Sequence, residues 1–149
     1  VLINFIDSPK KDGLTIAVAT SRFNEAITRL MQESCLQRLE KHGVSTVMVA
    51  NVAGALELPL ILKAMAKNSQ CQALIALGAV IRGETYHFEV VANETARGLM
   101  QLQLDTGIPV ANGVLTVDHE SQAFSRAAQK AWDCADVAVE MASLLQQLL

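Results

Sequence analysis

The sequence predicts an α/β domain, a three-layer α/β/α sandwich built on a four-stranded parallel sheet. Three observations carry this. Apolar, β-rich runs alternate with helically spaced repeats along the whole chain. The connections between them are short, as repeated β-α units with right-handed crossovers require. The run Ala73 to Ile81 is apolar without alternation, the pattern of a strand covered on both faces.

Each element has its own signal. Leu14 to Ala19 is a compact β-rich run. Asn24 is placed to cap the next helix, where Ile27, Leu30, Met31, Leu36 and Leu39 recur at roughly helical spacing until Gly43. Thr46 to Val52 reads as the second strand, Ala53-Gly54-Ala55 as a turn, and Pro59 suits the first turn of a helix through about Lys67. Ala73 to Ile81 is the third strand, and a long helix runs from about His87 to Asp105. Gly107 and Pro109 introduce a fourth strand, Val110 to Leu115. Asp118 is placed to cap a helix from Glu120, and helical pattern continues almost to Leu149. No linker, low-complexity tract or internal repeat interrupts residues 1–149, which read as a single domain.

Composition narrows the function classes. Hydrophobic residues make up 51% and charged residues 18%, less charge than the usual quarter, which points to surface buried against further copies of the chain. Net charge is −3 from 12 basic and 15 acidic residues, without a basic run, so nucleic acid is disfavoured as a partner. Cys35, Cys71 and Cys134 are an odd number without metal-type spacing and fit buried thiols of a reducing cytoplasm. His42, His87 and His119 form no ligand pattern, so no metal is expected. No apolar run approaches a membrane span. Val1 to Ile6 is shorter than a signal-peptide core, while the start at Val leaves a removed leader open.

In open α/β sheets ligands bind at the carboxyl ends of the strands, where helix N-termini attract anions. Four segments should meet there: Ser21-Arg22-Phe23-Asn24, Ala53 to Glu57, Ile81 to His87, and Asn112 to Asp118. Phe23 reads as a core or staple residue, or as a face for a flat ring. Glu57 reads as a helix-dipole partner, or as an acceptor for ligand hydroxyls. Gly54 and Gly83 are turn glycines, or allow close backbone approach. His87 is a structural imidazole, or an acid-base group working near neutral pH. Arg126 is a solvated charge unless its helix points it back at the site.

Taken together and in order, Ser21-Arg22-Phe23-Asn24, Gly54-Ala55-Leu56-Glu57-Leu58-Pro59, Gly78-Ala79-Val80-Ile81-Arg82-Gly83-Glu84-Thr85-Tyr86-His87-Phe88 and Gly113-Val114-Leu115-Thr116 closely resemble the lumazine synthase family. The resemblance runs from about Leu14 to the last helix. It implies a flavodoxin-like fold, with an N-terminal segment that pairs with a neighbouring subunit. It also implies a step of riboflavin biosynthesis, the condensation of 5-amino-6-(D-ribitylamino)uracil with 3,4-dihydroxy-2-butanone 4-phosphate, without cofactor. Carried over residue by residue, Phe23 resembles the ring-stacking residue, and Glu57 with the backbone of Ala55, Leu56, Val80 and Ile81 the ribityl contacts. Gly83, Glu84 and Thr85 resemble the phosphate turn, Arg126 the phosphate arginine and His87 the catalytic histidine. The implied partners are small-molecule substrates, further copies as a homopentamer, decamer or 60-subunit shell, and riboflavin synthase. Sites of the family lie between neighbouring subunits.

Two departures stand out. Asn112 occupies a position where many members carry a bulky aromatic, which implies weaker stacking on the pyrimidine. Many members follow the phosphate arginine with a turn resembling A-G-T-K-A-G-N-K-G. Here the stretch is Ala127-Ala128-Gln129-Lys130-Ala131-Trp132-Asp133-Cys134-Ala135, without glycine and with Cys134 in place of one lysine. Lys130 remains as a second candidate cation. The family's bend between its last two helices is associated with shell closure, and Ala-rich sequence favours uninterrupted helix instead. Pentamers are therefore expected ahead of a capsid, and Trp132 needs new burial. Two rival readings are a non-catalytic flavin- or lumazine-binding assembly on the same scaffold, which would need neither His87 nor Arg126, and a mononucleotide-binding flavodoxin-like module. The latter is disfavoured because no Ser/Thr-rich loop follows the first strand.

Overall fold

A computed structural model describes residues 1–4 and 13–149. Residues 1–4 are exposed and belong to no strand. The rest of the N-terminal segment expected to pair with a neighbour lies outside the described residues.

Four strands, β1 (Thr15–Ser21), β2 (Thr46–Val52), β3 (Ala73–Ile81) and β4 (Val110–Val117), form one sheet in the order β2-β1-β3-β4. All three pairings are parallel: Thr15 lies opposite Thr46, Ile16 opposite Ala73, and Leu74 opposite Val110. Among the described residues the helices are α1 (Glu25–Lys41), α2 (Leu58–Ser69), α3 (His87–Thr106) and α4 (Glu120–Leu148), with a 3-10 turn, Ala55–Glu57, ahead of α2. The expected α/β sandwich is therefore observed. The fourth strand runs two residues beyond Leu115 because β3 reaches Ile81 and gives Val117 a ladder partner.

Both faces of the sheet are covered. Ile16, Val18, Ile75 and Leu77 pack with Ile27, Met31 and Leu39 of α1 and the alanines of α4. Ala17, Ala19, Leu74 and Ala76 pack with Leu58 and Leu62 of α2 and Leu99 and Leu102 of α3. Successive side chains of a strand point to opposite faces, so β1 and β3 feed both cores, which is why the sequence of β3 shows no alternation. The small side chains Ala123, Ala127, Ala131, Ala135, Ala138 and Ala142 are buried along α4 and let that helix lie close on α1.

α4 is a single helix of 29 residues through the glycine-free stretch. Trp132 is half-buried. Arg38 and Lys41 of α1 lie over its ring, 4.6 and 4.8 Å from the centroid, a cation–π arrangement. Asp136, one turn on, accepts hydrogen bonds from Arg38 Nε at 2.5 Å and shares one with His42 Nε2 at 2.7 Å. Trp132 thus finds its burial against the C-terminal turn of α1.

Two expected caps are replaced. Asn24 stands at the N-cap of α1, but in the left-handed region (φ 63), and its side chain makes no cap hydrogen bond; it reaches β3 instead. At α4 the N-cap is His119, and Gln122 Oε1 accepts from the N–H groups of Asp118 and His119 at 2.9 and 3.0 Å. The carboxylate of Asp118 is drawn away by Arg82.

Candidate active site

At the carboxyl edge of β1, β2 and β3 the sequence-predicted residues gather into one cluster. Phe23 leaves β1, and its N–H donates to the carbonyl of Ala53 after β2 at 3.1 Å. Asn24 Nδ2 donates to the carbonyl of Ala79 in β3 at 2.9 Å. Three strand ends are thereby tied together. Phe23 is 67% exposed, too exposed for a core or staple residue, and its ring lies over Gly54. A Cβ on Gly54 would stand 2.9 Å from two ring carbons of Phe23 and 3.2 Å from Oε2 of Glu57. Glycine at 54 thus lets the ring and the carboxylate lie this close to the backbone. Glu57 is exposed and closes the 3-10 turn; Ala55 is buried and Leu56 exposed on the same turn.

At the end of β3, Val80 and Ile81 are half-buried, while Gly83, Glu84 and Thr85 stand exposed between the strand and α3, and His87 is exposed at the helix start. His87 is the first residue of α3, so its loop ends at the positive pole of a 20-residue helix. Its N–H reaches Thr85 Oγ1 at 3.4 Å. One turn therefore presents backbone donors, a hydroxyl and an imidazole.

Asn112, on β4, and Arg126 and Lys130, on α4, lie elsewhere on the chain. Asn112 lies opposite Ala76, five residues back from Ile81, about 16 Å along the strand at 3.3 Å per residue. It is a mid-strand residue, not a member of the segment after β4 as expected, because β4 starts at Val110 and extends to Val117. Its Oδ1 accepts from the N–H of Val114 at 3.0 Å. Arg126 and Lys130, one turn apart on α4, line a groove of about 550 Å³ with Val114 and Thr116 of β4. Arg126 also lines an adjoining cleft of about 530 Å³ with Arg82, Phe88, Glu89 and Asp118. This cleft flanks the Gly83–His87 turn, but none of the turn's residues lines it. The site residues are therefore dispersed on one chain: a ring, carboxylate, turn and imidazole at the carboxyl edge, two cations in a groove beside β4 and α4, and Asn112 in mid-strand on β4.

Arg82 had no assigned role in the sequence. Its Nε donates to Asp118 Oδ1 at 2.8 Å, its Nη1 pairs with Glu89, and its guanidinium lies 4.3 Å from the centroid of the Phe88 ring. Its hydrogen bonds to Asp118 and Glu89 hold Arg82 more firmly protonated than usual, and the bond it donates to Glu89 lowers that carboxyl. A basic residue beside the turn was legible; a seven-residue loop closure was not.

Cys134 is buried beneath β4: a Cβ on Gly113 would meet its Sγ at 3.0 Å and the carbonyl of Ala76 at 2.8 Å. Burial pushes its thiol up to about 11. It is a packed residue and adds no cation to the groove. Among the described residues no group of three or more His, Cys, Asp or Glu could hold a metal ion, and no helix is long and apolar enough to cross a membrane.

A parallel α/β sheet that presents an exposed ring, an anion-friendly turn and an imidazole at its carboxyl edge defines a small-molecule-binding α/β protein with an acid-base group at its site. Sequence comparison specifies which. The family model described as 6,7-dimethyl-8-ribityllumazine synthase matches residues 13–146, and the chain belongs to that family. It is similar to the 6,7-dimethyl-8-ribityllumazine synthase of Bordetella petrii, 57% identical over 139 residues, covering 92% of this chain and 79% of the relative. Those of Azoarcus sp. (51% identical, 91% of this chain and 88% of the relative) and Paraburkholderia phytofirmans (51%, 92% and 84%) are also similar.

Proposed function

We propose that the chain condenses 5-amino-6-(D-ribitylamino)uracil with 3,4-dihydroxy-2-butanone 4-phosphate to 6,7-dimethyl-8-ribityllumazine in riboflavin biosynthesis, releasing phosphate and water. The observation that carries this is the family match over residues 13–146, on a chain whose first three matched motifs end at the carboxyl edge of β1, β2 and β3. Phe23 stacks on the pyrimidine, supported by its exposed ring over Gly54. Glu57 and the backbone of Ala55, Leu56, Val80 and Ile81 take the ribityl hydroxyls. The N–H groups of Gly83, Glu84 and Thr85 take the phosphate, with Glu84's carboxylate turned to solvent. His87 moves protons in imine formation, phosphate elimination and ring closure. Holding two small reactants in contact supplies much of the rate.

Asn112, Arg126 and Lys130 serve the site of a neighbouring copy. This reading is supported by the position of Asn112 on edge strand β4, by the open groove that Arg126 and Lys130 line beside it, and by the low charge content. The assembly is a pentamer or a pair of pentamers, with the unbroken α4 favouring these over a 60-subunit shell. The enzyme works in the cytoplasm, where three buried free thiols persist, and hands its product to riboflavin synthase.

The deciding experiment mixes purified protein with both substrates and follows lumazine formation by ultraviolet-visible absorbance. Turnover is expected, with His87→Ala lowering kcat by about 100-fold and Arg126→Ala mainly raising KM for the butanone phosphate. Tight lumazine binding without turnover above background would establish the binding-assembly reading instead. A mass near sixty subunits by light scattering would reject the pentamer.

A further inference from the structure

The chain leaves β3 at Ile81, opposite Val117, and the N–H of Arg82 continues the ladder to the carbonyl of Val117 at 2.9 Å. The side chain of Arg82 then turns back across its own loop. Residues 83–88 separate it from Glu89, whose carboxylate it pairs with, and its guanidinium stacks on Phe88, the neighbour of His87. Its Nε is spent on Asp118, at the junction of β4 and α4. Within the loop itself, the N–H of His87 meets Thr85 Oγ1 only at 3.4 Å, and Gly83 to His87 are all exposed. The loop is therefore held chiefly from its base.

We propose that Arg82 is a positioning residue for the condensation: its fork closes the loop 83–88 through Glu89 and Phe88 and fastens it to the start of α4 through Asp118. The phosphate-binding N–H groups and the His87 imidazole are thereby kept in fixed relation. This rests on the assignment of Gly83 to Thr85 and His87 given above. Arg82 does not act as a plain phosphate cation, since two carboxylates already face it and the trio carries a net negative charge. The planar guanidinium is needed because one lysine ammonium cannot serve both carboxylates and stack on a ring at once. The three side chains are 46%, 31% and 61% exposed, so the pairs add little to global stability. Their effect should appear in kinetics and local order.

The test compares Arg82→Ala, Arg82→Lys and Arg126→Ala with the wild type. Both Arg82 variants should lower kcat and raise KM for the butanone phosphate, with kcat/KM down about 10- to 100-fold, the scale of a misplaced reacting group. KM for the pyrimidine and the melting temperature should stay close to wild type. Hydrogen exchange of the amides of residues 83–88 should accelerate in both Arg82 variants and not in Arg126→Ala. Wild-type kinetics in Arg82→Lys would overturn the fork, leaving only a charge. Unchanged exchange in residues 83–88 would overturn the closure whatever the activity. If Arg82→Ala fails to fold, Glu89→Gln and Asp118→Asn test the same two arms, and each should accelerate exchange there. An inactive wild type whose Arg82 variants still show faster loop exchange would sink the catalytic assignment and leave the closure standing.

Discussion

Asn24 Nδ2 donates to the carbonyl oxygen of Ala79 at 2.9 Å, joining the turn after β1 to the carboxyl end of β3. The bond sets Phe23 and the pair Val80–Ile81 on the same edge, and Asn24 makes it from the left-handed region at φ 63, which Asn tolerates better than most residues. Asn24→Ala should lose both the bond and the backbone compatibility, costing about 2 kcal/mol. Asn24→Gly keeps the conformation and should cost about 1 kcal/mol. Urea denaturation measures both, and a glycine variant as stable as wild type would show that the tie contributes nothing.

Gly54→Ala should disturb recognition more than folding. The added methyl would meet Phe23 at 2.9 Å, and because the ring is 67% exposed it can swing away at little cost. KM for the pyrimidine substrate should rise about tenfold, the scale of a lost stacking contact, with KM for the butanone phosphate unchanged. Equal changes in both constants in steady-state assays would contradict this.

Asp136 should make stability depend on acid. Partial burial raises its pKa, but hydrogen bonds from Arg38 and His42 together outweigh this and hold it below the ordinary 3.8. A carboxyl lowered by folding stabilises at pH above its unfolded value, and that contribution disappears as pH falls through the folded value. The gap in melting temperature between wild type and Asp136→Asn should therefore be present at pH 6 and close progressively below about pH 4. A gap constant down to acid pH would remove Asp136 from this role.

The three cysteines should be silent in the native protein. Burial raises Cys35 to about 12, with Cys134 adding to the effect; it raises Cys134 to about 11 and also raises Cys71. Thiolate is the reactive form, so an aromatic disulfide reagent at pH 8 should titrate them only after denaturant is added. Rapid modification of the folded protein that Cys134→Ala abolishes would show that α4 does not seal Cys134 under Gly113.

Much of this was legible along the chain because it depends on local periodicity. β2 and β3 fall on the residues read from sequence, and α3 extends only to Thr106. Boundaries moved where a partner decided them. Thr116 and Val117 join β4 because β3 offers Val80 and Ile81 opposite, and Thr20 and Ser21 extend β1 because Leu77 and Val52 pair with them. The caps failed for the same kind of reason. Asn24 and Asp118 have the right chemistry for helix starts, but Ala79 and Arg82, far away in sequence, compete for their side chains.

The candidate site divides along the same line. Residue types at the strand ends, the order of the motifs and the helix-favouring Ala127–Ala135 stretch were determined by the sequence itself, since turn chemistry, strand burial and helix propensity act over a few residues. Which of those residues share a surface was decided only by the fold. The sheet order β2-β1-β3-β4 gathers Phe23, Glu57 and His87 at one edge and leaves Asn112, Arg126 and Lys130 along the outermost strand and its helix. Side-chain partners chosen across 29 to 98 residues, such as Arg22 with Asn51 or Arg38 with Asp136, depend on strand pairing and helix packing that no local pattern encodes.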